Sequence, residues 1–169
     1  NLERNLAACA DFCALTPATL AATTAASGAP ERWHLVENRT SFERVARQRE
    51  HDTGVIWLPG FPPGWWRKAV GQLLDLAPAP AYIACDPDPA GIAIALKAAE
   101  LWQQRGIAWL PWKMSASDIA GLHTRKPITE IDRHQLAALR QEIVLPTQLA
   151  ELAEWILGHG EKGEQEGYL

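Results

Sequence analysis

From Arg32 to Trp112 short apolar runs alternate with longer amphipathic stretches, and that rhythm predicts strands alternating with helices. RWHLVEN reads as a buried strand over about residues 32 to 37, with a helix over about 41 to 50. Thr40 and Glu43 have capping-box spacing at the start of that helix. A second strand, TGVIWLPG, runs into the turn FPPG and a helix presenting Trp66, Ala69, Val70, Leu73 and Ala77 on one face. The third strand is AYIAC, followed by a helix with the stripe Ile92, Ala95, Leu96, Ala99 and Trp102, and the fourth is IAWLPW. Such alternation implies a mostly parallel sheet joined by right-handed crossovers.

Both ends of the chain read differently. Residues 1 to 26 are alanine-rich, with Leu2, Leu6, Cys9 and Cys13 at helical spacing and Thr16–Pro17 as an N-cap and first turn, so two short helices are expected. Beyond the fourth strand, Ser115 with Asp118 and Thr129 with Asp132 have spacing close to capping boxes. Leu149, Leu152, Ala153, Ile156 and Leu157 form an apolar stripe after Pro146. The tail from His159 is rich in glycine and glutamate and is expected to be mobile, or ordered only by a partner. The expected fold is therefore α/β: a Rossmann-like, mostly parallel four-stranded sheet flanked by helices, with helical additions at both ends. Its parts are a helical lead-in over 1–30, an α/β core over 31–123, and a helical extension with an acidic tail over 124–169.

Composition narrows the class. At 47% hydrophobic and 21% charged, 169 residues can bury a core. No apolar run approaches the roughly 20 residues of a membrane span, and no secretory signal is visible. With three cysteines and no disulfide pattern, reduced thiols and a cytoplasmic setting are expected. Cys9 and Cys13 could pair on a metal, but small buried residues are the plainer reading. Sixteen basic and 20 acidic residues give a net charge of −4, which does not suit a free-standing, sequence-independent DNA binder and argues for dependence on partners. The chain begins at Asn1 and not at methionine, so a preceding domain is expected.

The chemistry concentrates at strand ends. In DPDPAG, residues 86 to 91, Asp86 and Asp88 each precede a proline and are biased to extended geometry. Residues two apart in an extended segment point the same way, so the carboxylates should converge and favour a cation between them. An ordinary Asp–Pro turn is the alternative. Glu37 ends the first strand and adds a third oxygen ligand, a set suited to magnesium or manganese. Arg39, Arg67, Lys68 and Lys113 lie near strand ends or helix starts and could contact phosphate, though such residues are more often simply surface charges. Trp65 and Trp66 could stack on bases, with packing on the sheet the plainer fate. Histidines show no zinc-site spacing, and His34, inside a strand, reads as structural.

Glu37 after a first strand, a glycine turn at Gly60, and DxDxxG as Asp86, Asp88 and Gly91 after a third strand resemble the Toprim domain of topoisomerases, primases and several nucleases. VENRTSFERVA, WLPGFPPGWW, CDPDPAGIAIA and the closing EQEGYL look most like the Toprim nuclease subunit of bacterial Wadjet plasmid-defence systems, over roughly residues 30 to 169. That resemblance implies a magnesium-dependent (or manganese-dependent) endonuclease domain. Asp86 and Asp88 would bind metal, and Glu37 would bind metal or move protons. Glu164 and Glu166 would fold back to complete a second metal site, unless they are merely solvated end residues. It further implies double-stranded DNA as substrate and defence-complex partners including an SMC-like ATPase; a cut across both strands would favour a homodimer on symmetry grounds alone. A topoisomerase mechanism needs a tyrosine nucleophile. Only Tyr82, in a buried strand, and Tyr168, near the end, are present, so a missing domain would have to supply one. A Toprim-like module without catalysis, binding DNA ends or protein, is the other reading. An aspartyl-phosphate enzyme is disfavoured, because its Asp-x-Asp motif follows a first strand.

Overall fold

A computed structural model describes residues 15–142 and 144–165. Four parallel strands form the sheet: β1 (Arg32–Val36), β2 (Thr53–Trp57), β3 (Ala81–Ala84) and β4 (Trp109–Pro111), in the order β2-β1-β3-β4. Of the lead-in, α1 (Pro17–Ala21) is present, and Thr16 caps it by accepting from the Thr19 amide, as its sequence implies. The first of the two expected helices, with Cys9 and Cys13, lies outside the described residues.

Alternation along each strand divides its side chains between two layers. Trp33 and Leu35 of β1 and Ala81 and Ile83 of β3 enter the main core. There they meet Val70 and Leu74 of α3 (Gly64–Leu76) and Ile92, Ala95, Ala99 and Trp102 of α4 (Pro89–Gln103). Each large apolar side chain buried this way contributes about 1.5–3 kcal/mol. The buried indoles also satisfy their N–H groups: Trp33 donates to the Ala77 carbonyl and Trp102 to that of Ala79, both at 3.0 Å. On the opposite face Val36 and Ala84 pack with Phe42 and Val45 of α2 (Arg39–Gln48). His34 is half-buried on that face, 5.5 Å from the Tyr82 ring and 4.3 Å from Trp112, consistent with a structural role.

Helix α2 begins two residues earlier than its sequence suggests. Asn38 is the N-cap, accepting from the Ser41 amide at 3.0 Å, so it and not the Thr40–Glu43 pair sets the helix start. By contrast, Ser115 and Asp118 do form a capping box on α5 (Ala116–Ala120). Thr129 and Asp132 bond reciprocally at the start of α6 (Glu130–Glu142). The stripe on α4 is wider than a one-sided helix would show. Ile94, Ala98 and Leu101 are also buried, because α6 packs along α4 from outside the sheet layer.

The tail departs most from expectation. Helix α7 (Thr147–His159) ends at Gly160, whose φ of 67° lets the chain reverse. The returning segment forms β6 (Glu161–Lys162), antiparallel to β5 (Lys126–Pro127). Lys162 donates to both oxygens of the Asp132 carboxylate, at 2.9 and 3.0 Å. Gly163 then donates to the Pro87 carbonyl at 3.1 Å, and Gln165 is fully buried. Intramolecular bonds therefore order residues His159 to Gln165 with no partner.

Candidate functional site

Strand order decides where a crevice opens. The chain steps from β1 to β2 on one side, then returns past β1 to place β3 and β4 on the other. Successive crossovers thus diverge between β1 and β3, and in open α/β sheets ligands bind outside the carboxyl ends of the strands at that point. Glu37 follows β1 there, and Asp86 and Asp88 follow β3.

The three acids are held close by the backbone. The Asp86 amide donates to Oε2 of Glu37 at 3.2 Å, linking the two strand ends directly. Asp88 is extended, at φ −143° and ψ 171°, as its proline neighbours require, and it is also the N-cap of α4, accepting from Gly91 at 2.6 Å. Gly91 is sterically required in this tight turn: a β-carbon there would lie 2.0 Å from the Asp86 carbonyl oxygen. Gly60, after β2, adopts φ 66° and turns its α-carbon toward Glu37. The glycines and prolines of the motif are thus the covalent means of bringing carboxylates to one crevice.

Crowding shows in the electrostatics. Burial, then the charges of Asp86 and Asp88, push the Glu37 carboxyl up to about 7, against partial relief from the Asp86 amide and the Cys85 thiol. Burial also raises Asp88, with Asp86 adding to it, while the Gly91 amide and the Lys162 ammonium oppose the shift. The buried Cys85 thiol is held well above its ordinary value by burial and by the carboxylates of Glu37 and Asp86. It stays protonated and can donate to Glu37. The donor set is oxygen-only, which suits a hard divalent cation, and a cation between these groups would relieve the repulsion. Even so, among the described residues no group of three or more His, Cys, Asp and Glu side chains is arranged to hold a metal ion. The acids form an electrostatic cluster and not a finished cage.

The remaining candidates are dispersed. Glu164 is exposed and ion-pairs with Lys126, while Glu166 lies outside the described residues, as does Tyr168. Arg39 is exposed and bonds Glu43 at 3.2 Å. Arg67 is committed to α4, at 3.0 Å from both the Lys97 carbonyl and Glu100. Lys68 is exposed on α3. Lys113 is exposed just past β4, at φ 56°. Tyr82 packs against His34 near the start of β3, away from the carboxyl ends of the strands where the acids sit. The adjacent tryptophans separate: Trp66 is buried and donates to the Trp57 carbonyl at 2.9 Å, whereas Trp65 is exposed.

One site residue stands in the sequence only as part of the closing EQEGYL, with no role attached to it. Gln165 donates its backbone N–H to Oδ1 of Asp86 at 2.7 Å and accepts from the Asn38 amide at 2.9 Å through Oε1. Its buried Nε2 has no hydrogen-bond partner among the described residues. Sequence reasoning weighed the glutamates on either side of it. No residue-type signal marks a lone glutamine, and only the returning tail brings it to the crevice. No helix among the described residues is long and apolar enough to cross a membrane. Comparison with protein-family models and with curated proteins gives no match for this chain.

Proposed function

We propose that this chain is a Toprim-type, divalent-metal-dependent DNA endonuclease domain that hydrolyses phosphodiester bonds. One observation carries the reading: Glu37, Asp86 and Asp88 lie together at the topological switch point, where burial first, and the neighbouring carboxylates second, raise the Glu37 carboxyl to about 7. Asp86 and Asp88 would hold magnesium or manganese, with Glu37 as a further ligand or the proton-handling group. The bound ion would supply Lewis-acid polarisation of the phosphoryl group and a more acidic water. Glu37, poised near neutrality, accepts a proton from the attacking water. Water oxygen bonds to phosphorus as the ester bond to the leaving sugar oxygen breaks, and that oxygen takes a proton from solvent, yielding a phosphomonoester and a hydroxyl. The sequence resemblance suggests the rest of the setting: plasmid defence in a bacterial cytoplasm, double-stranded DNA, and an SMC-like ATPase among the partners; a cut across both strands would make a homodimer the natural assembly on symmetry grounds.

Supercoiled-plasmid cleavage with magnesium or manganese tests the reading. Nicking or linearisation should require metal and disappear in Asp86→Ala and Glu37→Ala. Full activity in either variant sinks the assignment.

A second reading is a catalytically silent Toprim-like module that binds DNA ends or protein. The lack of a ready three-ligand cluster among the described residues favours it. Metal would then neither promote cleavage nor raise the melting temperature, whereas a metal that binds the folded domain must stabilise it.

A further inference from the structure

We propose that the segment from Trp57, the last residue of β2, to Trp65, in the first turn of α3, is a stacking platform for unpaired nucleobases, so that the acidic crevice engages a strand where its pairing is open. This deepens, and rests on, the phosphodiesterase reading.

The segment exposes three aromatic rings: Phe61 is 60% exposed, Trp65 55% and Trp57 42%. Their neighbours Leu58, Pro62 and Trp66 are buried, so the exposed rings stand on an anchored base. Trp66 donates to the Trp57 carbonyl at 2.9 Å, and the Gly60 amide to the Leu58 carbonyl at 2.9 Å. These bonds fix the backbone that carries the exposed rings, so little backbone freedom is lost when a base stacks on them.

The platform adjoins the acids. Trp57 donates its indole N–H to the backbone carbonyl of Glu37 at 3.0 Å. At Gly60, a β-carbon would lie 4.0 Å from Oε1 of Glu37. Lys68 is exposed one helical turn beyond Trp65 and therefore shares its face of α3. Arg39, itself exposed and bonded to Glu43, begins the helix that follows Glu37.

Aromatic faces interleaved with cations are the means by which proteins hold single strands: rings take the bases and cations the phosphates. A paired duplex hides its base faces and could not use the rings. The exposed set is also wholly aromatic here; the exposed aliphatic side chains Leu110, Ile131 and Val144 lie elsewhere in the chain. The exposed cations Lys68 and Arg39 beside these rings match phosphates spaced between bases, which favours a nucleic-acid strand as the occupant.

The test is fluorescence anisotropy with a labelled oligothymidylate, a duplex of equal length and an abasic strand of equal length, all in EDTA so that no cleavage intervenes. The chain should bind the base-bearing single strand more tightly than the other two. The double variant Phe61→Ala/Trp65→Ala should weaken that binding about tenfold or more, with the melting temperature unchanged and abasic binding unaffected. Equal affinity in the variant, preference for the duplex, full retention on the abasic strand, or no binding at all would overturn the proposal. Plasmid cleavage is scored separately. Loss of cleavage activity with the single-strand preference intact counts against the nuclease reading and not against the platform.

Discussion

The backbone N–H of Gln165 donates to Oδ1 of Asp86 at 2.7 Å, joining residues 79 positions apart. Through its side chain the same residue holds the Asn38 amide, next to Glu37. One residue of the returning tail therefore bridges the ends of β1 and β3, the two sides of the crevice.

Gln165→Ala keeps the backbone bond to Asp86 and removes the bond to Asn38. It should cost about 1–3 kcal/mol, the range for stranding one buried polar group. A chain ended after Glu164 loses both bonds and should be destabilised further. If the bridge positions Asp86, the truncated chain should also need more metal for half-maximal cleavage. Urea titration and a metal titration read these separately. Unchanged metal dependence in a chain that remains folded would reduce Gln165 to a structural tie.

Glu37 gives a pH-dependent prediction. Its folded pKa of about 7 lies above the ordinary 4.5, so between those values the folded state binds more protons than the unfolded state. Stability from this group is present below about pH 4.5 and is lost as pH rises toward about 7. After allowance for solvent screening the loss is about 2 kcal/mol. Metal-free Glu37→Gln should therefore melt higher than the parent at pH 8, with the advantage gone at pH 4. Thermal melts at the two pH values in EDTA decide it; a constant difference would mean that burial and the neighbouring carboxylates do not raise the Glu37 pKa.

Asp88 has two separable jobs. Its side chain caps α4 and its charge faces Asp86. Asparagine caps as well as aspartate, while alanine does not cap at all and costs about 1 kcal/mol. Asp88→Asn should therefore keep or raise metal-free stability while losing metal-dependent cleavage, and Asp88→Ala should lose the cap as well. Circular-dichroism melts beside a cleavage assay separate these effects.

Gly91→Ala pits helix propensity against sterics. Alanine should gain up to about 1 kcal/mol in a helix. The added β-carbon, however, would sit 2.0 Å from the Asp86 carbonyl, so the turn must move, at a cost of about 1–3 kcal/mol. Net destabilisation and loss of cleavage are expected in denaturant melts and plasmid assays.

Much of the core was legible because strand and helix periods are local properties. AYIAC, the stripe from Ile92 to Trp102 and the two capping boxes at Ser115 and Thr129 need only neighbours within a few residues to be read. Asp86 and Asp88 were legible as candidates because proline restricts the backbone before it and glycine permits a close approach. The start of α2 was misread because Asn38 and Thr40 are both competent caps, and local chemistry alone does not choose between them.

By itself, then, the sequence determined the alternating elements, the parallel sheet class and the acids at strand ends, all consequences of short-range periodicity and backbone restriction. Tertiary structure alone decided the order β2-β1-β3-β4, which sets Glu37 beside Asp86, and the separate fates of Trp65 and Trp66. It also decided the return of the tail that buries Gln165 against Asp86. Those outcomes depend on contacts between residues tens of positions apart, where the gain comes from jointly buried surface and paired polar groups, and no local pattern records them.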